Sequence, residues 1–407
     1  MSGPGNCTAS PGTKEDRAAT GRTDRPQCKD NDSEDAFSDI SDSELLQLQD
    51  TEETGDRPLP ENKDKQTEYG TISMEQSEVN LVSGEGLYQD GTGDTLQRKR
   101  KTELETPLER YFLKYLTVTD ICSQVWCEQQ MVYKMERPAL IEPEKTAAMN
   151  HGSSIHLARE LEVHDIVPVN TKTREDSWAI KCLNILAMIP ILQSGGRVRE
   201  FPVFRELDGI YVVGVIDELG YSSKGELELR ELKTRASTTL PGAAQKRSHE
   251  IQVSLYKLLF DGMVSSVIQP DGFMQHLKLR PEQELGPQVK EHALKSGLTV
   301  STFRDVLELT CLNLTYSELP MVDSLKLEYC FQGDGSLLGC SEVRFEKEKV
   351  LEQATFYFSY WKGLREVQGV DIEDAWKCRM CEYSSICEWR THRTKHVALQ
   401  TRNKRLK

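Results

Sequence analysis

The chain has 407 residues, of which 37% are hydrophobic and 29% charged, so it can form one large domain or two ordinary ones with a buried core. Its net charge is −14, but residues 1–100 hold 11 Lys or Arg against 22 Asp or Glu, which leaves −3 on the remainder. The overall acidity therefore does not exclude a nucleic-acid-binding surface on the folded part.

The first 106 residues are predicted to be a mostly disordered acidic tail, because they offer few apolar residues at regular spacing. The segment "DAFSDISDSELLQLQD" at 35–50 favours a short amphipathic helix that could dock onto a partner, with a transient helix of no function as the alternative. "RKRK" at 98–101 is typical of a nuclear-import signal and equally of a solvated charge run.

No segment has the features of a secretory signal, a mitochondrial presequence or a membrane span. The N-terminus lacks the apolar stretch of a secretory signal and the Arg-rich, acid-poor character of a mitochondrial presequence. The most apolar run, "CLNILAMIPIL" at 182–192, is too short to cross a bilayer. We expect an intracellular protein that does not bind membranes and whose eleven cysteines are thiols or metal ligands.

From Pro107 onward, the hydrophobic pattern predicts helices and strands in alternation. Helices are expected at 118–135 (capped by Thr119 or Asp120), 153–164, 175–189, about 243–264 and 349–364. Strands are expected at 198–204, 210–219, 226–234 and 323–331, the first two paired across "RELDG". The prediction is an α/β fold with a central mixed sheet flanked by helices, in one domain over 107–390 followed by a basic tail over 391–407.

Two neighbouring predicted strands end in charged side chains. Side chains alternate along a strand, so Asp217 continues an apolar row of one strand, and Glu231 and Lys233 continue an apolar row of the next. Burying such charges costs several kcal/mol unless they are paired or bound to metal. A one-residue bulge that turns Glu231 and Lys233 outward is the alternative, but two strands that end alike favour a site.

These residue types suit phosphodiester hydrolysis. Asp217 and Glu231 offer hard oxygen ligands for Mg²⁺, and Lys233 can reach a metal-bound water or a phosphate. Two helix pairs four residues apart accompany them, although each alone would be interpreted as structural. The pairs are His156 with Glu160 and Gln252 with Tyr256.

Three cysteines, Cys378, Cys381 and Cys387, lie within "WKCRMCEYSSICEW" near the end of the chain. Soft-metal sites made of thiolates usually have four ligands, so a fourth ligand is expected elsewhere. Cys122 and Cys127 are the upstream candidates. On physical grounds a four-thiolate site suits zinc as well as iron–sulfur.

The motifs together resemble a known family. Gly152 and His156, then "GVIDEL", "ELKT" and "QVSLY", are similar in order and spacing to the RecB-type branch of the PD-(D/E)XK, restriction-endonuclease-like nucleases. With one cysteine before the core and three after it, the chain over roughly 107–390 looks most like the eukaryotic exonuclease V family. That resemblance implies a [4Fe–4S] cluster that staples the N- and C-terminal parts of the domain. It favours Cys127 over Cys122, since "WCEQQMVY" matches the family pattern, which gives the ligand set Cys127, Cys378, Cys381 and Cys387.

The resemblance also implies catalytic roles. Asp217, Glu231 and His156 would bind Mg²⁺, with the Leu232 carbonyl as a further ligand, while Lys233 would orient or activate the attacking water. Gln252 and Tyr256 would position the site or contact DNA. The segment "AQKRSHE" at 244–250 and the tail after Trp389 are candidate basic contacts to DNA, with a solvated surface as an equal alternative for each.

The implied activity is Mg²⁺-dependent hydrolysis of single-stranded DNA from an end, with 5′ preference, in DNA repair and genome maintenance. The alternatives are a catalytically weak single-strand DNA-binding scaffold and a zinc-stapled endonuclease. We expect a monomer in the nucleus or cytosol, with the mitochondrion as the alternative. Single-strand DNA-binding or repair proteins would be partners of the acidic tail.

Overall fold

The computed structural model describes residues 105–137, 143–161, 169–265 and 268–392. The expected acidic segment at 35–50, the "RKRK" patch and the basic C-terminal tail therefore lie outside the described residues. Within the described ranges, no helix combines the length and the apolar character needed to cross a membrane.

The described chain alternates helices and strands around one six-stranded mixed sheet, which confirms the predicted α/β class. In chain order the elements are α1 (Pro107–Arg110), β1 (Leu116–Thr117), α2 (Val118–Glu136), α3 (Pro143–Glu160), α4 (Arg174–Gln193), β2 (Val198–Leu207), β3 (Ile210–Tyr221), β4 (Leu227–Arg235), α5 (Ala243–Ser265), α6 (Pro270–Leu277), α7 (Pro287–Lys295), α8 (Phe303–Tyr316), β5 (Ser324–Phe331), β6 (Leu337–Val343) and α9 (Lys347–Trp361). A 3₁₀ helix at Ala375–Arg379 carries the first of the three C-terminal cysteines.

The β2–β3 hairpin forms as the sequence predicts. Asp208 and Gly209 connect the strands with φ angles of 49° and 77°. Two consecutive left-handed residues match the right-handed twist of the flanking strands, and Asp-Gly is a favoured pair for this turn. Along the rest of the sheet, β3 pairs with β4 and β5 with β6 in antiparallel fashion, whereas β4 and β5 are parallel.

Strand β3 changes partners along one of its edges. β2 occupies the other edge throughout, so β1 and β4 must share the remaining edge. β1 pairs only with Val212 and Val213, and the pairing with β4 ends at Glu218 opposite Arg230. Strands β3 and β4 therefore part at Asp217, and we call this place the fork.

Helix α2 begins at a different cap from the one predicted. Thr117, not Thr119 or Asp120, is the N-cap, and its hydroxyl accepts a hydrogen bond from the Asp120 main-chain N–H at 3.0 Å. The Asp120 carboxylate accepts in return from the Thr117 main-chain N–H at 2.8 Å. This reciprocal capping box satisfies two otherwise unpaired donors at the helix start.

Helix α5 packs closely against the sheet at Gly214 of β3. A Cβ atom at Gly214 would lie 2.6 Å from the Tyr256 ring and 3.0 Å from the Val118 side chain. Only glycine permits this approach, because real Cβ atoms do not come within 3.0 Å of such neighbours. The contact fixes α5 relative to the strand that carries Asp217.

Candidate active site and cysteine cluster

Asp217 lies at the fork and replaces the lost strand pairing with its own side chain. Its Oδ2 accepts a hydrogen bond from the Leu232 main-chain N–H at 2.7 Å. His156 of α3 approaches the same oxygen, with its Nδ1 at 3.7 Å, and both side chains are 16% exposed. The carboxylate therefore ties β4 to β3 while keeping a face toward solvent.

Glu231 and Lys233 are buried together on β4. Lys233 Nζ lies 3.2 Å from Glu231 Oε1, and the two side chains are 5% and 3% exposed. The pairing of β4 with β5 runs without a shift from Glu228 to Arg235, so no bulge turns these residues outward. The buried-charge interpretation of the strand end is thus the one the structure supports.

Glu200 joins this site although the sequence pattern did not single it out. One ligand atom each from His156, Glu200 and Asp217 lies within 4.8 Å of the others. Oxygen and nitrogen ligands of one Mg²⁺ lie at most about 4.2 Å apart, since each bond is close to 2.1 Å. The donor set therefore fits a divalent cation after a small adjustment.

Glu200 has an unusual backbone. The flanking pairs Arg199 with Glu218 and Phe201 with Ile216 leave Glu200 opposite Asp217 in the β2–β3 ladder. Its φ angle is 53°, in the left-handed region that non-glycine residues rarely occupy. Alternation along "VREFPVF" gives no sign of this conformation, and the only available signal was a carboxylate next to the apolar run that begins at Phe201.

A cavity lined by charges of both signs adjoins these ligands. It is lined by His156, Asp217 and Glu200, by the arginines Arg159, Arg199 and Arg230, and by the carboxylates of Glu218 and Glu328. Guanidinium groups match phosphate geometry, so cation ligands beside arginines suit a phosphodiester.

Glu218 holds two of these arginines, Arg199 and Arg230, in place, whereas Arg159 pairs with Glu328 at 3.0 Å. The Glu218 carboxylate lies 3.2 Å from Arg197 Nε, 2.9 Å from an Arg199 nitrogen and 3.2 Å from an Arg230 nitrogen. The strand pairings place five charged side chains in one cross-strand row from β2 to β6. The row is Arg199, Glu218, Arg230, Lys326 and Glu342.

Gln252 and Tyr256 lie behind the site rather than in the cavity. Gln252 Nε2 donates to the Tyr256 hydroxyl at 3.0 Å, and both residues are buried. The close contact of Tyr256 with β3 at Gly214, and the hydrogen bond of Gln252 to Tyr256, suit a positioning role. The alternative expectation, direct contact with DNA, does not agree with their burial.

The other predicted contacts are less informative. The side chain of Glu160, expected beside His156, lies outside the described residues. In the basic segment at 244–250, Arg247 pairs with Asp374 at 3.1 Å, and His249 is buried against the Tyr329 hydroxyl at 3.2 Å. This segment therefore presents less basic surface than its composition indicates.

A second cavity gathers the cysteines from the two ends of the domain. Cys127, Cys378, Cys381 and Cys387 all line it. Cys122 instead belongs to the hydrophobic core and is 7% exposed. Of the two upstream candidates, the structure brings Cys127 and not Cys122 to the other three.

Two of the sulfurs accept main-chain hydrogen bonds. Helix α2 breaks at Cys127, where φ is −166° and ψ is 107°, and the Cys127 sulfur accepts from the Gln130 N–H as a helix N-cap would. The Cys381 sulfur accepts from the Tyr383 N–H. Burial nevertheless raises the pKa of both thiols to about 11, so a metal that bound here would have to displace their protons.

The spacing of the sulfurs bears on the metal. In a tetrahedral zinc site with 2.3 Å bonds, the sulfurs lie about 3.8 Å apart. In the part of the chain that the structure describes, no three of these four sulfurs come within 4.8 Å of one another. Four thiolates lining one cavity suit zinc and an iron–sulfur cluster alike on chemical grounds.

Contacts that do not involve sulfur hold the C-terminal segment against α2. The rings of Tyr133 and Tyr383 stack with centroids 5.6 Å apart. Lys377 Nζ donates to the Trp126 carbonyl at 3.1 Å and lies 4.4 Å from the centre of the Trp126 ring. These contacts join segments about 250 residues apart in the sequence.

Comparison with known proteins points to one family. The family model described as exonuclease V, a 5′ deoxyribonuclease, matches residues 106–230, 221–308 and 289–390. Exonuclease V of Danio rerio is 43% identical over 368 residues, which cover 88% of this chain and 93% of that protein. The crystal structure of SSO0001 covers 67% of this chain and 85% of its own at 14% identity, and its TM-score of 0.33 is too low to carry an argument.

Proposed function

The chain belongs to the exonuclease V family, described as 5′ deoxyribonucleases, and we propose that it is a magnesium-dependent exonuclease acting on single-stranded DNA from an end, with 5′ preference. The observation that carries this proposal is the convergence of His156, Glu200 and Asp217 at the fork, beside the buried Glu231–Lys233 pair. An Asp on one strand and Glu-x-Lys on the next, at the point where the strands part, supports the PD-(D/E)XK assignment.

The side chains at the fork divide the chemical work. A bound Mg²⁺ would supply an activated water and polarise the scissile phosphate. Asp217 would hold the cation in a fixed position, because a hydrogen bond from the Leu232 main-chain N–H restrains the Asp217 carboxylate. Lys233, an ammonium paired with Glu231, can donate but not accept a proton, so it would stabilise the charge that develops on the phosphate.

The arginines of the cavity supply the substrate contacts in this proposal. Arg159, Arg199 and Arg230 would bind phosphate oxygens next to the scissile bond. Because the guanidinium groups contact backbone phosphates and not base edges, cleavage should depend little on sequence.

We also propose that Cys127, Cys378, Cys381 and Cys387 hold a [4Fe–4S] cluster. Their shared cavity and the resemblance of the cysteine pattern to the family support it. The proposed role is structural, since the cysteines join α2 to the C-terminal segment. Nuclear action in DNA repair as a monomer, with partners that bind the acidic tail, completes the proposal and rests on the family and the sequence motifs.

The proposal is tested with purified protein and labelled DNA. Linear single strands labelled at the 5′ or 3′ end, duplexes and circular single strands are incubated with Mg²⁺ or with EDTA. Degradation of linear single strands in Mg²⁺ alone, with circles left intact, is the expected result. Cleavage of circles would favour an endonuclease, and binding without cleavage would favour a scaffold.

A further inference from the structure

A cluster of three cations lies away from the fork, on segments that the catalytic motifs do not include. Lys114 lies just before β1, Arg174 is the first residue of α4, and Lys278 is the first residue after α6. Among the described residues, none of the three forms an ion pair with a carboxylate. The cluster therefore differs from the arginines of the catalytic cavity, which are held by glutamates.

Aromatic contacts bring these three segments together. The rings of Tyr115 and Trp178 meet edge to face with centroids 5.8 Å apart, and Trp178 meets Phe273 of α6 in the same way at 5.0 Å. Tyr115 follows Lys114 directly, and Trp178 lies one turn after Arg174 on α4. The packing thus fixes where the cations lie relative to one another.

The charges themselves are in close contact. Arg174 donates from its guanidinium group to the carbonyl of Leu277, the residue before Lys278, at 3.0 Å. Burial lowers the pKa of the Lys114 ammonium, and the neighbouring Lys278 and Arg174 charges lower it further. Like charges held together without counter-charges attract a polyanion.

An exposed aromatic ring accompanies the cations. Phe112 lies two residues before Lys114, and 82% of its surface is exposed. Its φ angle is 57° and that of Lys278 is 54°, both in the left-handed region that non-glycine residues rarely occupy. Backbone strain of this kind persists at functional sites. We call Phe112, Lys114, Arg174 and Lys278 the basic patch.

The basic patch lies at the opposite end of β3 from the cation ligands. Tyr211, near the start of β3, contacts His276 of α6 with ring centroids 4.6 Å apart. Asp217 follows six residues later on the same strand, which is about 20 Å at 3.3 Å per residue. A stacked single strand would span that distance with about six nucleotides at 3.4 Å each.

We propose that the basic patch is a second contact surface for single-stranded DNA, separate from the catalytic cavity. The three cations would bind backbone phosphates, and the Phe112 ring would stack on a base. Lysine and arginine next to an exposed aromatic ring are the combination that single-strand binding uses. The ring favours a single strand over a duplex, because the bases of a duplex are already stacked on one another. This inference rests on the proposed function, since it takes a single strand as the substrate.

The test compares full-length variants in binding a fluorescently labelled oligothymidylate of about 20 nucleotides, in EDTA so that the strand stays intact. Phe112→Ala should weaken binding at least about 5-fold, whereas Phe112→Trp, which can still stack, should bind like the wild type. Tyr316→Ala removes a ring that is 76% exposed on α8, and this matched control should have no effect.

The salt dependence of binding tests the cations. The logarithm of the binding constant falls with the logarithm of the salt concentration by about 0.7 for each phosphate contact to a single strand. Lys114→Gln and Lys278→Gln should each reduce that slope by about 0.7. Lys349→Gln, an exposed lysine of α9, is the control and should leave the slope unchanged.

Two results would overturn the inference. One is wild-type affinity and salt slope in Phe112→Ala and in the two lysine variants. The other is tighter DNA binding by these variants, which would show that the patch holds the acidic N-terminal tail instead. Thermal unfolding confirms that each variant is folded. Cleavage of a strand of about four nucleotides, too short to reach the patch, tests the proposed function separately and should be equal in wild type and patch variants.

Discussion

The Asp217 carboxylate accepts the Leu232 main-chain N–H at 2.7 Å, across the point where β3 and β4 separate. Asp217, the residue best placed to bind a cation, thus also joins β3 to β4 at the fork. Its removal should have two effects that different substitutions can separate.

Asp217→Asn should abolish DNA hydrolysis with little loss of stability, because the amide oxygen can still accept the Leu232 N–H. Asp217→Ala should abolish hydrolysis and also lower the free energy of unfolding by about 1–3 kcal/mol, since a partly buried donor loses its partner. Cleavage of end-labelled single strands and urea unfolding measure the two effects. Near-normal turnover in Asp217→Asn would remove this carboxylate from the mechanism.

Lys233→Met should destabilise the protein by about 3–5 kcal/mol, because it leaves the Glu231 carboxylate buried without its counter-charge. Millimolar Mg²⁺ should restore part of the loss, as a cation would replace the ammonium beside Glu231. Chemical unfolding with Mg²⁺ or EDTA gives both numbers. Lys224→Met, at an exposed turn, is the control and should change stability by less than about 0.5 kcal/mol. Equal stability of Lys233→Met and wild type would show that the ion pair is unimportant.

Glu218→Gln should cost about 3 kcal/mol or more, because three arginines lose a charge that they share. The loss should depend on salt, since added anions can partly replace the carboxylate. Unfolding midpoints at low and high sodium chloride provide the measurement. Glu206→Gln on the neighbouring strand should be nearly silent, and a similarly silent Glu218→Gln would refute the proposed clustering.

Gly214→Ala should destabilise the fold by about 1–3 kcal/mol, because the new methyl group would lie 2.6 Å from the Tyr256 ring. Replacing that ring with a smaller side chain, in the double variant Gly214→Ala/Tyr256→Leu, should recover part of the lost stability. Gly272→Ala makes the opposite case. Its nearest neighbour would be 3.7 Å away within α6, so alanine should stabilise by up to about 1 kcal/mol. Thermal unfolding of Gly214→Ala, Tyr256→Leu, their double variant and Gly272→Ala tests both expectations. If the stability losses of the two single variants simply add in the double variant, the predicted clash is wrong.

Cys127→Ser and Cys381→Ser should each lose bound iron and destabilise the whole domain, because binding free energy at such thiolate sites, on the order of 10 kcal/mol for zinc, is folding free energy. Cys122→Ser lies in the core away from the cavity and should keep its iron. Iron content and thermal unfolding of anaerobically purified protein are the measurements. A colourless wild type with one equivalent of zinc would replace the cluster with a zinc site.

The sequence was informative where chemistry follows strand alternation. Asp217, Glu231 and Lys233 could be placed at a common strand end, because charges that continue apolar rows need a partner. Glu200 could not be found in the same way, since a left-handed φ in the middle of a strand leaves no periodic signal.

Other features depend on information that local patterns do not contain. The break of α2 at Cys127 falls inside a continuous helical pattern, so the helical pattern alone does not separate Cys127 from Cys122, and the preference for Cys127 came from the resemblance to the family. The row of charges around Glu218 requires strand order and register, which come from tertiary packing. The Thr117 cap was a different kind of miss, because Thr117 and Asp120 stood at capping-box spacing in the sequence.

The contact between α2 and the C-terminal segment places an early and a late part of the domain sequence next to each other. Besides the cysteines, the Gln129 main-chain N–H donates to the Gln368 carbonyl at 3.0 Å, which brings the beginning and the end of the fold side by side. A covalent link between these neighbouring ends, with new termini opened at a surface turn such as Asp208–Gly209, would preserve all strand pairings on either side of that turn. The fold is therefore a candidate for circular permutation, with the new covalent link placed beside the cysteine site.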